Sequence, residues 1–374
     1  MAMIPMGMIP SHYARIKGND ALCLTYPDGE LTWSQLESRT NRRANMFQTL
    51  GVRKDDFITV ALENGIVFHE ICFALWKLGA TPHIVSHRLP AVELKAILEL
   101  LKPAAFVSKT VDDVPYQRCI SPDLDVTSYP DSVVEVSIAK HWKAMSSGGS
   151  TGRPKIIVDH QPAEVDPEEW FIDLPQNSCV LNPGPLYHNV PFVMTHHGLF
   201  RGNHIVGMSR FDATESLRLV EKHRASWVMM VPTMMHRIWR LSEAVRTSFD
   251  ISSLGVVSHV ASPMPVWLKE AWIKWLGANR IYELYGGTEG TGATWIRGDE
   301  WLAHKGTVGK FIRNTKVRVL NEEGADCEVG EIGEVYLIPA TGPGSTYHYI
   351  GAEPKVADGG WETLGDMGWL DEDG

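Results

Sequence analysis

Cysteine is scarce in this 374-residue chain and follows no pattern. Cys23, Cys72, Cys119, Cys179 and Cys327 are widely spaced and odd in number, and no Cys-x-x-Cys occurs. That excludes a disulfide framework or a zinc ribbon, and reads as reduced thiols in a cytoplasmic protein. Positive charge is short too: 35 Lys and Arg stand against 45 Asp and Glu, a formal net charge of −10. A surface that tracks nucleic-acid phosphates needs the opposite balance, so no nucleic-acid partner is expected. No apolar run approaches the ~20 residues of a membrane span. The start, Met1-Ala2-Met3-Ile4-Pro5-Met6-Gly7, has no basic stretch before a long apolar block, so no signal peptide is expected. There is no internal repeat and no low-complexity tract. What is present is a chain 44% hydrophobic and 21% charged, ordinary for a folded enzyme and too long for one simple core. Its 13 tryptophans read as core and interface residues, because a nucleic-acid stacking platform would interleave them with basic residues.

Helical and strand-like patterns alternate, which implies an α/β protein. Residues 34–50 read as an amphipathic helix after a turn at Pro27-Asp28-Gly29, 57–62 as a buried strand, and 67–78 as a helix stopped by Gly79. Residues 83–85, 91–101 and 104–107 continue as strand, helix and strand, consistent with a parallel sheet. Further on, 215–223, 233–245 and 265–275 read as helices, and 227–231 and 256–260 as strands. From about residue 305 the pattern becomes short strands with Gly turns, such as 316–320 and 333–338, which suggests a small β-rich subdomain over 305–374 after two α/β subdomains in 1–304.

The most telling stretch is Ser147-Gly148-Gly149-Ser150-Thr151-Gly152-Arg153-Pro154-Lys155, followed by Ile156-Ile157-Val158. Three glycines allow close backbone approach to a ligand, free N–H groups and hydroxyls can converge on an anion, and Lys155 adds positive charge. A polyphosphate suits that chemistry better than a flexible linker, which would not run so abruptly into a strand. The loop is not the common nucleotide-binding G-x-x-x-x-G-K-[ST], because Arg153 and Pro154 separate Gly152 from Lys155 and Ile156 follows. Nor is it a dinucleotide-binding turn: no strand-like run ends just before it, and a β-like segment, not a helix, comes after.

This loop resembles the phosphate-binding signature of the adenylate-forming superfamily, which includes acyl-CoA synthetases, adenylation domains of peptide synthetases and beetle luciferases. Other elements resemble that family's motifs in the right order: Leu31-Thr32-Trp33-Ser34-Gln35-Leu36, Trp76-Lys77-Leu78-Gly79-Ala80, Pro185-Leu186-Tyr187-His188, Tyr285-Gly286-Gly287-Thr288-Glu289, Gly306-Thr307-Val308-Gly309-Lys310, Gly333-Glu334, and Gly365-Asp366-Met367-Gly368 with Asp371 and Gly374. Within the superfamily, residues 259–269 and 283–289 resemble bacterial acyl-CoA ligases acting on bile acids and steroids. The resemblance implies two mixed or parallel β-sheets packed with helices plus a small distorted β-barrel. Family members continue beyond the Asp-Gly matched by Asp373-Gly374 into a C-terminal domain with a catalytic Lys. Residues 1–374 therefore correspond to the large AMP-binding N-terminal domain, without the C-terminal one.

The implied reaction joins a carboxylic acid to coenzyme A through an acyl-AMP, using ATP and Mg²⁺. Ser147, Gly148, Gly149, Ser150, Thr151, Gly152 and Lys155 would hold the β- and γ-phosphates, Thr288 would contact the α-phosphate, and Glu289 would coordinate Mg²⁺. Tyr285 would stack on adenine within a nucleotide-binding run of Glu283, Leu284, Tyr285, Gly286 and Gly287. Ala261, Ser262 and Pro263 would line the other adenine face. Asp366 would accept both ribose hydroxyls, its two oxygens matching a vicinal diol. Leu364 stands where the family usually has Thr, which removes a polar contact. His188 would lie near the acyl carboxylate and gate the path of coenzyme A. His188, Asn189, Val190, Met234, His259 and Gly287 would line the acyl pocket. Met230, Met234 and Met235 fit a bulky apolar acid, and read equally as plain core. His196 and His197 read as structural. Of the activities the resemblance allows, a carboxylic acid–CoA ligase for a bulky hydrophobic acid comes first. The alternatives are a half-reaction or acyl-adenylate-binding protein, an adenylation domain loading a carrier protein, and a luciferase-like oxygenase. Homodimers are common among such proteins.

Overall fold

A computed structural model describes residues 3–109, 116, 118–148 and 154–374. Two large sheets organise the chain. One has eight strands in the order Ala293–Arg297, Ile281–Gly286, Val256–His259, Trp227–Met230, Cys179–Asn182, His204–Gly207, Leu22–Tyr26, Gly29–Thr32. Its six inner strands are mutually parallel, and each edge strand is antiparallel to its neighbour. The other has seven strands in the order Tyr347–Ile350, Pro154–Asp159, Ala144–Gly148, Thr81–Ile84, Phe57–Ala61, Ala105–Ser108, Cys119–Ile120.

Alternation along the strands separates the layers. In the eight-stranded sheet, Val180, Trp227 and Met229 point into a core shared with helices Trp33–Thr49, Ile66–Leu78 and Asn189–Phe200. That core also takes Ile58, Val60 and Ile84 from the seven-stranded sheet, so these helices lie between the two sheets. The intervening residues Cys179, Leu181, Val228 and Met230 face a second core, under helices Ala213–His223, Pro232–Trp239 and Val266–Leu276. A third core covers the outer face of the seven-stranded sheet with helix Ala91–Leu101. Helix Ile66–Leu78 is sandwiched between layers, and all its residues but Val67 are buried, which is why it is apolar nearly all round.

Local chemistry fixes the element ends. Thr32 accepts the Gln35 backbone N–H, and the Gln35 side chain accepts that of Thr32, a reciprocal cap that starts helix Trp33–Thr49. Gly79 ends its helix in the left-handed region at φ 72°, where an added Cβ would come within 2.8 Å of Ser137. The helix expected over 233–245 is two helices: Pro232–Trp239 ends at Arg240, and Glu243–Arg246 starts afresh under a Ser242 cap. Ser242 supplies a competing acceptor for a backbone N–H, and this outweighs the continuous helical periodicity. The phosphate-loop candidate is preceded by a strand after all. Ala144–Gly148 runs antiparallel to Pro154–Asp159, with Ser147 opposite Lys155. Its sequence, Ala-Met-Ser-Ser-Gly, has too few β-branched or aromatic residues to announce a strand.

Residues 305–374 contribute a four-stranded antiparallel sheet, ordered Lys316–Leu320, Gly333–Ile338, Trp361–Gly368, Lys355–Ala357. It is open among the described residues where a small barrel is expected. One strand of this segment, Tyr347–Ile350, leaves it and pairs with Pro154–Asp159 at the edge of the seven-stranded sheet. That exchange carries Tyr349 to the strand that follows the phosphate-loop candidate.

Candidate active site

In an open parallel sheet, ligands bind beyond the carboxyl ends of the strands, where the chain reverses its direction of travel across the sheet. Here the chain runs from Cys179–Asn182 to His204–Gly207 on one side, then crosses to Trp227–Met230 on the other. A cavity of about 440 Å³ opens at this point, within the usual range for a small-molecule site. Two strands and the residue after the second supply Val180–Asn182, Trp227 and Met229–Val231; the turns at other strand ends supply Gly184, Pro185, Val260, Ala261 and Gly286–Thr288; helix Asn189–Phe200 and its cap supply His188–Pro191, Met194 and Thr195; and Met234 comes from the next helix. The lining is mostly apolar. On the helix, Val190 and Met194, and Pro191 and Thr195, are spaced four apart and so share one face.

His188 is exposed at the start of that helix, in extended conformation, and its side chain does not cap it. Loss of solvent on one side lowers its pKa from the usual imidazole value. Ala261 holds φ 78°, a left-handed conformation rare for alanine, at an exposed turn with Ser262 and Pro263. Strain of this kind gathers at ligand sites.

Glu289 is only 8% exposed. A buried carboxylate needs partners, and among the described residues it has two. Tyr349 donates its hydroxyl to Oε1 at 2.7 Å, and Lys155 Nζ lies 3.4 Å from the same oxygen. Lys155 also approaches the Tyr349 hydroxyl at 3.1 Å and stands 4.2 Å from its ring centroid. Tyr349 pairs with Ile157 across the strands, which makes Lys155 its diagonal neighbour on the same face. Burial and the adjacent carboxylate push the Tyr349 pKa up, so it stays a donor. On the other side of the turn, Tyr285 donates to Asp366 Oδ2 at 2.8 Å, joining strand Ile281–Gly286 to Trp361–Gly368. Burial raises the Tyr285 pKa as well. Gly287 sits between these pairs with no room for a side chain: a Cβ would meet Leu364 Cδ1 at 2.2 Å and Glu289 Oε2 at 3.0 Å. The side chain that replaces the family's Thr thus packs on Gly287.

The structure gathers His188, Asn189, Val190, Met234, Ala261, Gly286, Gly287 and Thr288 around one cavity. It sets Lys155 against Glu289 and Tyr285 against Asp366. Gly149, Ser150, Thr151 and Gly152 lie outside the described residues; Ser147 and Gly148 end the strand before them. Leu284 packs into the core between the sheets. Glu283 and His259 are turned elsewhere. Both point to the opposite face of the sheet, as Ile281 and Val257 do two residues earlier. There Lys269 donates to Glu283 Oε2, with His259 Nε2 3.6 Å from the same oxygen. Burial raises the Glu283 pKa and lowers those of Lys269 and His259, the last to about 3. This buried pair braces the strand that ends in Tyr285-Gly286-Gly287. His259 does not line the cavity.

Tyr349 went unnoticed in the sequence, because its two partners are 194 and 60 positions away. The alternation of Tyr347-His348-Tyr349-Ile350 signals a strand, and nothing local says which sheet it joins.

The family model described as "AMP-binding enzyme" matches residues 12–348. The chain belongs to this AMP-binding enzyme family. Among curated relatives, it is 25% identical over 371 residues to the long-chain-fatty-acid–CoA ligase FadD13 of Mycobacterium tuberculosis, covering 93% of this chain and 72% of that protein. It is 26% identical to the 2-succinylbenzoate–CoA ligase of a Geobacillus species, covering 92% and 71%. The inhibitor-bound N-terminal domain of FACL13 from Mycobacterium tuberculosis superposes with a TM-score of 0.83 at 22% identity, covering 99% of this chain and 98% of that one. The o-succinylbenzoate coenzyme A synthetase of Bacillus subtilis, in complex with ATP and magnesium ion, superposes with a TM-score of 0.81 at 19% identity, covering 100% and 78%. At those identities the structural likenesses establish the fold.

Proposed function

We propose that this AMP-binding enzyme is a carboxylic acid–CoA ligase whose acid has a sizeable apolar body. The observation that carries this reading is the joining of two environments at Gly286–Thr288. On one side stand the paired polar groups Lys155–Glu289 and Tyr285–Asp366, and on the other an apolar cavity large enough for an acyl chain. An acyl-adenylate is a molecule with those two halves.

In the first half-reaction a carboxylate oxygen attacks the α-phosphorus of ATP and pyrophosphate leaves. The chain's part is alignment and charge neutralisation. Asp366 holds the ribose, and the strand carrying Tyr285 positions the adenine. Thr288 contacts the α-phosphate, and Lys155 turns from Glu289 to the β- and γ-phosphates. Glu289 fits a Mg²⁺ site in its chemistry: the ion binds through one or two carboxylates plus phosphate oxygens, and this carboxylate has one oxygen shared by a tyrosine and a movable lysine. Bound there, Mg²⁺ would offset charge on the phosphates. In the second half-reaction the sulfur of coenzyme A attacks the acyl carbonyl, AMP leaves, and the thiol proton passes to solvent. His188 stands at the mouth for that approach. Its lowered pKa keeps it neutral near pH 7, so it adds no cation beside the departing AMP. The five cysteines are all free, which supports a reducing, cytoplasmic setting.

The test is calorimetric titration of the chain with AMP and with acyl-sulfamoyl adenosines, stable mimics of acyl-AMP. An apolar acyl mimic binding at least tenfold tighter than AMP is the expected result. Equal affinities would separate the cavity from the nucleotide site and refute the reading.

A further inference from the structure

The two oxygens of Glu289 are not treated alike. Among the described residues both of its hydrogen-bond contacts fall on Oε1, from the Tyr349 hydroxyl at 2.7 Å and from Lys155 Nζ at 3.4 Å, and none falls on Oε2. Oε2 instead lies beside Gly287, one of the residues that line the cavity: a Cβ there would meet it at 3.0 Å. One oxygen is tied to the strands behind the turn, and the other is left beside the glycine.

The two partners on Oε1 differ in kind. Lys155 is a long, partly exposed side chain with a second task in the proposed reaction, at the β- and γ-phosphates. Tyr349 is anchored. Its strand pairs at four consecutive positions, Tyr347 to Ile350 against Asp159 to Ile156. Just before that strand, the His160 backbone N–H donates to the Thr346 carbonyl at 2.9 Å. Just after it, Gly351 turns the chain at φ 88°, where a Cβ would meet Leu100 Cδ2 at 2.7 Å. The Tyr349 ring also packs edge-on against Tyr347, with centroids 4.8 Å apart. Only these four residues leave the sheet of their own segment, which resumes at Lys355. The excursion brings a fixed hydroxyl to a buried carboxylate.

The charges of the partners differ as well. An ammonium satisfies a carboxylate oxygen and cancels its charge. A phenol hydroxyl donates one hydrogen bond and brings no charge. With Lys155 gone to the phosphates, a tyrosine on Oε1 keeps the carboxylate satisfied on that side and fully negative, which is what a cation requires of its ligand.

We infer that Tyr349 is a positioning residue for the Mg²⁺ site: its hydroxyl fixes Glu289 through Oε1, which leaves Oε2 for the cation and Lys155 for the phosphates. The inference rests on the ligase reading of this site and adds a residue to it. Groups that orient a metal ligand typically account for about 10- to 100-fold in metal affinity. Tyr349→Phe keeps the ring and its place in the strand and removes the hydroxyl. Oε1 is then left to Lys155 alone, so the lysine is held back from the phosphates and the carboxylate from the cation.

The experiment is calorimetric titration of the whole chain with ATP over a series of Mg²⁺ concentrations, and with AMP without Mg²⁺. It compares the unaltered chain, Tyr349→Phe, Glu289→Gln and the double variant. Tyr349→Phe should raise the Mg²⁺ concentration that half-saturates ATP binding about tenfold or more, and change AMP affinity by less than about twofold. In the Glu289→Gln background the tyrosine substitution should add less than about twofold, because it acts through that carboxylate. Effects of the two substitutions that multiply independently would overturn the inference, as would an unchanged Mg²⁺ dependence in Tyr349→Phe. Equal losses for AMP and ATP in Tyr349→Phe would show that the hydroxyl only supports the fold of the turn, and would overturn it too. In all three cases ATP binding by the unaltered chain still depends on Mg²⁺, and the ligase reading stands. An unaltered chain that binds neither AMP nor ATP with Mg²⁺ would overturn both.

Discussion

Lys155→Ala separates a nucleotide-binding lysine from a structural one. In the unliganded chain Nζ lies 3.4 Å from Glu289, and the lysine side chain is 27% exposed. A partly exposed pair of that geometry contributes less than about 1 kcal/mol. Glu289 keeps the Tyr349 hydroxyl at 2.7 Å when the lysine is gone, so its burial remains satisfied. With ATP bound, Lys155 is proposed to exchange the carboxylate for the β- and γ-phosphates. A charge-assisted bond of that kind is worth about 1.5–3 kcal/mol. Subtracting the pair given up leaves about 1–2.5 kcal/mol, a loss of roughly five- to seventyfold in affinity. AMP lacks both phosphates, so its affinity should change by less than about threefold. Calorimetric titration with ATP and Mg²⁺, and separately with AMP, reads both numbers from one protein. Equal losses for the two nucleotides would show that Lys155 holds the site together without touching the phosphates, and would refute the reasoning.

Asp366→Ala should weaken AMP by at least tenfold, because it removes the proposed acceptor for two ribose hydroxyls and the partner of Tyr285 at 2.8 Å; an unchanged AMP dissociation constant by calorimetry would remove Asp366 from the ribose site. Stability should also fall with acid. His83, His196 and His259 are fully buried, and burial lowers their pKa from 6.5 to about 3. The unfolded chain takes up protons below pH 6.5 that the folded chain refuses, so stability drops as pH falls through 6.5 and goes on dropping toward 3. At pH 5.5 each histidine costs about 1.4 kcal/mol, together about 4 kcal/mol, against a typical total of about 5–15. Urea unfolding at pH 7.5 and 5.5 measures this, and equal free energies at the two values would contradict it.

Much of the scaffold was legible because it is written locally. Thr32 and Gln35 cap a helix within four residues, Gly79 stops another, and alternation along Val256–His259 needs only neighbours to be seen. The misreadings share a cause, which is competition settled away from the residues concerned. Ser242 breaks a helix that apolar periodicity alone would continue. Ala144–Gly148 becomes a strand because Pro154–Asp159 and Thr81–Ile84 are there to pair with it, despite a poor β composition. Tyr347–Ile350 abandons the sheet of its own segment for a distant edge.

The candidate site divides the same way. Glycine spacing and motif order mark the turn at Tyr285–Glu289, since backbone approach to a ligand demands particular residues there. Which way a side chain faces inside the sheet is subtler. His259 and Glu283 are near the turn in sequence, yet strand alternation turns both away from the cavity toward Lys269.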